Sequence, residues 1–216
     1  MYLEFCNYNR RSADKSEDKV KELFNAVELN FKSISTDLYI LRKSQEFLKD
    51  LDISISVPVG YPLGKMDRKT KEHETLAALK GGASAIDLVI NPYLVMDREF
   101  VGLADEVTSN LNICQDYNAD LRITINYSLY PQAKSLSICN ALQDCGIEFL
   151  IPSNGFYNDD ISENLLMSKT IEKNTSLRVI TSGQVWLKKQ FDMVVKSKIF
   201  GLRLYSLNFL TNKGVN

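Results

Sequence analysis

The stretch LAALKGGASAIDLVIN, residues 76–91, places the end of a helix, a Gly-Gly break and a buried β-strand in direct succession. Leu76, Ala77 and Leu79 indicate a helix, and Gly81-Gly82 is typical of a helix C-terminus. Residues 85–90 are apolar apart from Asp87, which is the pattern of a strand in a parallel sheet that helices cover. This stretch therefore predicts one unit of an alternating strand and helix fold.

The same alternation recurs along the whole chain. β-Branched runs predict eight strands, at residues 2–6, 32–36, 53–59, 85–90, 121–126, 148–151, 178–182 and 200–205, and amphipathic stretches lie between them. Eight units in 216 residues leave about 27 residues for each unit, enough for a strand, a helix of about three turns and two short loops. We therefore predict an α/β fold, a single-domain (βα)8 TIM barrel over residues 1–216.

The alternative fold is an open, doubly wound sheet. Such a sheet usually carries a glycine-rich phosphate turn after its first strand, whereas residues 6–9, CNYN, contain no glycine. No Gly/Ser linker or low-complexity tract interrupts the chain, so we expect no domain boundary. The barrel is the preferred prediction.

Charge and composition exclude several classes of protein. The chain has 26 Lys and Arg residues against 27 Asp and Glu residues, a net charge of −1, which argues against broad electrostatic binding to nucleic acid or to anionic lipid. The N-terminus has no signal-peptide pattern, and no apolar run approaches the length of a membrane span. We expect a cytoplasmic protein without a nucleic-acid or membrane partner, and a net charge near zero leaves a homodimer open.

Metal and redox chemistry find little support in the sequence. The four cysteines form no CxxC pair, and the single histidine, His73, lies in a charged helical stretch beside Lys71, Glu72 and Glu74. A His-based metal site or a Ser-His triad would have to recruit this one residue. We therefore expect buried free thiols, no metal site and no cofactor.

A barrel of this kind builds its active site at the C-terminal ends of its strands and in the loops that follow. The polar residues that the predicted strands bring to that end are Glu4, Ser35, Asp37, Asp87, Asn91, Asn126, Ser153, Ser182, Gly183, Gln184, Arg203 and Tyr205, and Lys65 lies in the loop after the third strand. The C-terminal end of the barrel, which we call the mouth, is therefore strongly polar, and this predicts a small polar molecule as substrate or ligand.

Three stretches at these strand ends resemble the deoxyribose-phosphate aldolase family. SVPVGYPLGK, residues 56–65, is similar to the family's V-V-G-F-P-L-G, and GGASAIDLVIN, residues 81–91, is similar to G-A-x-E-I-D-M-V-I-N. FLIPSNGF, residues 149–156, is similar to F-V-K-T-S-T-G-F, and Lys71 and Glu74 form the K-x-x-E arrangement between the first two stretches. The resemblance implies a class I aldolase fold, the (βα)8 barrel, across nearly the whole chain.

The resemblance also marks a departure in the chemistry. The family forms a Schiff base on the lysine of K-T-S-T-G-F, and this chain has Ile151 at that position. The family's second lysine, in V-K-A-S-G-G-I, lowers the pKa of the first, and it corresponds to Ile180. Isoleucine cannot form an imine, so the resemblance implies that the usual Schiff-base mechanism is lost.

Other family positions differ as well. The family surrounds its phosphate with small residues, whereas this chain has Ser182-Gly183-Gln184 after strand seven and RLYS, residues 203–206, after strand eight. Asn126 stands where the family usually has Glu, and Ser35 and Asp37 stand where it has Cys and Asn. These differences imply a changed substrate.

Two charged residues are the main candidates for chemistry. Asp87 matches the family's proton-relay aspartate, and its apolar neighbours should raise its pKa unless a cation is near. Arg203 shares a strand face with Gly201 and Tyr205. If that face is the barrel interior, the guanidinium requires an anion, which is either Asp87, Glu4 or a ligand.

Three functions remain open from the sequence. The first is an enzyme without an imine, in which Asp87 is the acid or base while Asn126, Ser182 and Arg203 polarise a carbonyl or hold an anion. The second is a catalytically inactive aldolase homologue that binds a ligand or a partner. The third is an aldolase that uses a displaced lysine, Lys65.

Overall fold

A computed structural model describes residues 1–8 and 14–210. Its strands form a closed barrel of parallel strands in chain order, with β8 paired to β1. They are β1 (Tyr2–Cys6), β2 (Ser33–Ser35), β3 (Ser54–Val59), β4 (Ala85–Val89), β5 (Asp120–Thr124), β6 (Phe149–Ile151), β7 (Arg178–Gly183) and β8 (Gly201–Leu204). The predicted (βα)8 barrel is confirmed, and the doubly wound alternative is wrong.

Helices follow the strands on the outside of the barrel. They are α1 (Ser16–Glu28), α2 (Leu38–Leu48), α3 (Arg68–Lys80), α4 (Pro92–Met96), α5 (Phe100–Asp116), α6 (Gln132–Asp144), α7 (Ile161–Asn174) and α8 (Lys188–Lys196), with a 3-10 turn at Tyr127–Leu129. As predicted, α3 ends at the glycine pair, and Gly82 has a φ of +96°, which glycine tolerates best. Over residues 1–8 and 14–210, no helix combines the length and apolar character needed to cross a bilayer.

The two faces of each strand enter different environments. The outward face is apolar and packs beneath the helices, with Phe5, Ile34, Val57, Leu88, Ile123, Leu150, Val179 and Leu202 in one buried cluster. The inward face carries charged and hydroxyl side chains, including Glu4, Ser35, Asp87, Arg122 and Arg203, which are all buried. The barrel therefore has an apolar outer core and a polar interior.

The histidine and three of the four cysteines lie as the sequence predicts. Cys6, Cys114 and Cys139 are buried free thiols, and Cys145 is a half-buried free thiol. His73 is exposed on α3, with Nδ1 3.3 Å from the carbonyl of Lys69 in the preceding turn. Its contact therefore lies within its own helix.

Candidate functional site

Asp87, on β4, lies at the centre of the polar interior, where both of its carboxylate oxygens are occupied. Arg122 places Nε and Nη2 each 2.6 Å from Oδ1. Arg203 Nη2 donates to Oδ2 at 2.6 Å, and Ser35 Oγ donates to the same oxygen at 3.1 Å. Ser56 Oγ in turn donates to Ser35 Oγ at 2.6 Å. This carboxylate is held by charge-assisted bonds on both sides.

Glu4, on β1, binds the same two arginines. Arg122 Nη1 donates to Oε2 at 2.6 Å, and Arg203 Nε donates to Oε1 at 2.7 Å. Hydroxyls of Tyr2 and Ser33 donate to Oε2 at 3.2 Å each. We call Glu4, Asp87, Arg122 and Arg203 the interior ion cluster; its two negative and two positive charges cancel.

The interior ion cluster fixes the ionisation of its members. Burial alone would raise the pKa of Asp87, but Arg122 and Arg203 more than offset burial and hold that pKa below its usual range. Burial alone would lower the pKa of each arginine, but Asp87 and Glu4 hold both values above the usual range. The sequence predicted a raised pKa for Asp87 unless a cation lay near it. Two arginines do lie near it, and its pKa is lowered instead.

Arg203 has its anions within the protein. Its side chain is completely buried and bound to Glu4 and Asp87, and Nη1 donates to the Tyr8 hydroxyl at 2.8 Å. Of the alternatives that the sequence left open, the structure shows the internal ion pair. Tyr8 is half-buried and packs edge-on against Tyr61 with ring centroids 4.9 Å apart. Tyr8 therefore links the interior ion cluster to the loop after β3.

The two positions that the resemblance equates with lysines are apolar and buried. Ile151 ends β6 with none of its surface exposed, and Ile180 on β7 is 1% exposed. Leu150 pairs with Val179, so the next residues of the two strands, Ile151 and Ile180, are neighbours in the sheet. This part of the interior holds adjacent aliphatic side chains.

Three predicted site residues at the mouth, Asn126, Ser153 and Ser182, make hydrogen bonds that connect neighbouring loops. Asn126 Oδ1 accepts from the backbone N–H of Asn154 at 3.1 Å, and Asn154 Nδ2 donates to the carbonyl of Pro62 at 2.8 Å. Ser182 Oγ donates to the carbonyl of Ser153, whose own hydroxyl donates to the carbonyl of Asn158. These bonds join the loops after β3, β5 and β6 to one another and to the end of β7.

Other predicted site residues hold backbone in place. Asp37 Oδ1 accepts from the N–H of Ile40 at 3.0 Å and caps α2, while Asn91 caps α4 through the N–H of Tyr93. The N–H of Gln184 donates to the carbonyl of Asp159 at 2.8 Å.

The remaining three lie in different surroundings. A Cβ on Gly183 would stand 2.8 Å from the Cα of Ile161, so α7 approaches this strand end closely. Tyr205 is buried, and burial raises the pKa of its hydroxyl well above the usual value. Lys65 is exposed, with its ammonium 5.1 Å from the centre of the Tyr93 ring.

A second buried ion pair supports the ends of β3 and β4. Lys71 Nζ lies 2.7 Å from Glu106 Oε1 and donates to the carbonyl of Val89 at 2.8 Å. Glu106 also accepts from the N–H of Asn91, and Glu74 accepts from the N–H of Gly60. Lys71 and Glu74 of the K-x-x-E arrangement therefore position the loops that follow these two strands.

Arg122 is the central residue that sequence reasoning missed. It lies in the run LRITIN, residues 121–126, where a charge interrupts an apolar strand at the same spacing as Thr124 and Asn126. That alternation was the available signal for an inward-facing cation. Glu106 gave a weaker signal, because a charge on an amphipathic helix is usually exposed.

Over the residues that the structure describes, no three or more His, Cys, Asp or Glu side chains come together as a potential metal site. The acidic side chains of the interior ion cluster, Glu4 and Asp87, are each paired with both arginines. The chemistry available in the interior is therefore that of paired ions and hydroxyls.

The fold is similar to that of known aldolases. The structure superposes on the deoxyribose-phosphate aldolase of Aeropyrum pernix with a TM-score of 0.81, at 16% identity over 94% of this chain and 84% of that one. It superposes on an aldolase called QR15 with a TM-score of 0.82, at 14% identity over 98% of this chain and 96% of that one. These structural likenesses establish the fold.

Sequence similarity to curated proteins assigns the family. No protein-family model matches the chain. The deoxyribose-phosphate aldolase of Caldicellulosiruptor saccharolyticus is 25% identical over 186 residues, 84% of each chain. That of Bdellovibrio bacteriovorus is 30% identical over 161 residues, which cover 74% of this chain and 72% of the relative. On this similarity, the chain belongs to the deoxyribose-phosphate aldolase family.

Proposed function

We propose that this protein is a non-catalytic member of its family, which keeps the barrel to bind a small polar ligand and does not run imine chemistry. The observation that carries the proposal is the state of Asp87. A general base needs a free lone pair and a pKa near the working pH. Asp87 has donors on both oxygens and a pKa held below its usual range, so it is poorly suited to either accept or deliver a proton.

The positions that would form the imine support the same proposal. Ile151 and Ile180 offer no amine, and the cations of the interior ion cluster are guanidiniums, which do not act as imine nucleophiles. Lys65 carries an amine, but its side chain is exposed and lies over the Tyr93 ring, whereas Asp87 and Arg203 are buried inside the barrel. A displaced-lysine aldolase therefore has less support than a binding protein.

The former phosphate region argues against an aldolase substrate as well. The N–H of Gln184 is already bonded to Asp159, and the Arg203 guanidinium is bonded to Glu4, Asp87 and Tyr8. Donors that would hold a phosphate are thus engaged within the protein. We therefore propose a polar ligand that does not depend on a phosphate bound by the Gln184 N–H or the Arg203 guanidinium.

A turnover and trapping experiment tests the proposal. The purified protein is given 2-deoxyribose 5-phosphate, and acetaldehyde release is compared with that of the Bdellovibrio bacteriovorus relative, the positive control. A second sample is treated with borohydride in the presence of substrate and analysed by intact mass spectrometry, and any adduct is located by peptide mapping. We expect release at background and no added mass. Turnover near that of the relative would overturn the proposal, and a reduced adduct on Lys65 would establish the displaced-lysine aldolase instead.

A further inference from the structure

A cavity of about 650 Å³ lies outside the barrel, between the turn after β5 and the outer face of α7. Its walls include Tyr127, Tyr130, Gln132, Glu163, Leu166 and Met167. Small-molecule sites typically enclose about 300 to 1,000 Å³ and combine apolar and aromatic walls with a few polar groups. In size and lining, this cavity matches such a site.

The apolar part of the wall is open to solvent. Leu166 on α7 is 71% exposed, although it stands beside the buried Met167. A single exposed leucine needs no explanation by itself. Here it adjoins the rings of Tyr127 and Tyr130 in one concave surface. A ligand with an apolar body would cover this side chain.

One polar group in the wall lacks a partner. Tyr130 is 8% exposed, and its hydroxyl makes no hydrogen bond within residues 1–8 and 14–210. Buried hydroxyls are nearly always paired, and an unpaired one costs about 1 to 3 kcal/mol. Burial, with a smaller effect of Tyr157, raises the pKa of Tyr130 to about 12, so the hydroxyl keeps its proton at neutral pH. The oxygen itself is buried, so a ligand acceptor that displaces the atoms covering it would supply the missing partner.

The charge of the cavity is negative. Glu163 is the charged residue of its described lining, and the same lining contains neither lysine nor arginine. Asn158 Nδ2 donates to Glu163 Oε2 at 2.8 Å and to the Tyr127 hydroxyl at 2.9 Å, so one amide fixes both groups. The carboxylate and the aromatic ring are thereby held in place before any ligand arrives.

We propose that this cavity binds an organic amine, with its ammonium at Glu163 and the tyrosine rings and its apolar body along Leu166 and Met167. Carboxylates attract ammonium groups through charge-assisted hydrogen bonds, and aromatic faces attract them through their quadrupole. An acceptor on the body of the amine would pair with the Tyr130 hydroxyl. This site is separate from the barrel interior and does not depend on the function proposed above.

Matched probes test the charge requirement. 2-Phenylethylamine and 2-phenylethanol have the same apolar body and differ in the cationic group, and tyramine adds a hydroxyl that can accept from Tyr130. Binding to the full chain is followed by calorimetry and by amide chemical shifts. We expect the amine to bind at least about tenfold more tightly than the alcohol. Equal affinity of the two, or no binding of the amine at millimolar concentration, would refute the proposal.

Variants locate the site. Glu163→Gln should remove the preference for the amine, whereas Glu46→Gln, at an exposed position on α2, should retain it. Tyr130→Phe should abolish the advantage of tyramine over 2-phenylethylamine and leave the preference for the charged group intact. Melting curves establish that each variant is folded. A preference for the amine that survives Glu163→Gln would place binding elsewhere and contradict the proposal.

Discussion

Arg203 Nη2 lies 2.6 Å from Asp87 Oδ2, although the two residues are 116 positions apart in the chain. Arg203 is on β8 and Asp87 is on β4, so the contact joins strands on opposite sides of the closed barrel. Arg122 and Glu4 make the second crossing, between β5 and β1. The interior ion cluster therefore braces the barrel across its axis, where most parallel barrels pack branched aliphatic side chains.

Removal of one arginine should destabilise the fold. Arg203→Ala leaves Glu4 and Asp87 buried with a single guanidinium between them, and breaking a buried ion pair in this way costs about 3 to 5 kcal/mol. Urea unfolding, followed by circular dichroism, should show a large drop in midpoint. Arg42→Ala, at an exposed position on α2, is the control and should change the midpoint little. A midpoint equal to that of the parent would mean that the interior ion cluster is not a stabilising brace.

The charge of Asp87 should appear in the pH dependence of stability. Its pKa is lower in the folded state than the value of about 3.9 for an unfolded aspartate. Between those two values the unfolded chain binds more protons than the folded chain, so stability falls as pH falls through this window. Above about pH 5 the stabilising contribution is fully present.

Asp87→Asn removes this contribution. We expect a variant that is less stable than the parent at pH 7 and whose unfolding midpoint depends less steeply on pH between about pH 5 and pH 3. Asp67→Asn is a suitable control, because hydrogen bonds from Thr70 lower the pKa of this exposed carboxylate, and solvent screens its contribution. An unchanged slope in the Asp87→Asn variant would contradict the assignment.

The strands were predictable because local pattern determines them. The run 85–90 combines apolar residues with a preceding Gly-Gly break, and the structure has a strand at Ala85–Val89. The largest error is at β5, which begins and ends one to two residues earlier than predicted, because Ile125 and Asn126 continue the alternation beyond the last ladder pair of Thr124. Sheet pairing, which is not local, sets that boundary.

The interior ion cluster was only partly predictable. Alternation on β8 placed Arg203 on one strand face with Gly201 and Tyr205, and Glu4 and Asp87 were named as its candidate partners on the condition that this face is the barrel interior. The choice between these residues and a ligand required the geometry, since the groups come from distant strands. Arg122 was missed although the alternation on β5 gave the same kind of signal as that on β8, and its partners, 118 and 35 positions away, could be identified only from the fold. The pKa of Asp87 is lowered, whereas burial alone would raise it, because the fold brings Arg122 and Arg203 to its carboxylate.

Gly64 should tolerate no side chain. Its φ is +71°, and a Cβ would stand 2.2 Å from the carbonyl oxygen of Ile90. Gly82 also has a positive φ, but the nearest atom to its Cβ would be Gln45 Nε2 at 3.9 Å. We expect Gly64→Ala to cost about 3 kcal/mol or more and Gly82→Ala about 1 kcal/mol, because only the first adds a collision with backbone to the conformational strain. Similar losses in both variants, measured by urea unfolding, would show that the loop shifts to make room.

A lysine at position 151 should not restore aldolase chemistry by itself. Ile151→Lys places an ammonium in a fully buried site beside Ile180, and no second amine is present to lower its pKa by like charge. Arg122 and Arg203 do not take that role, because Glu4 and Asp87 neutralise them. We expect a less stable protein that releases no acetaldehyde from 2-deoxyribose 5-phosphate above background and traps no borohydride adduct.

Ile151→Lys combined with Ile180→Lys supplies the missing like charge and is the informative comparison, since an adduct in the double variant alone would support this explanation. Turnover by the single variant at the rate of the Bdellovibrio bacteriovorus relative would show that one amine is sufficient and that the interior ion cluster does not block the reaction.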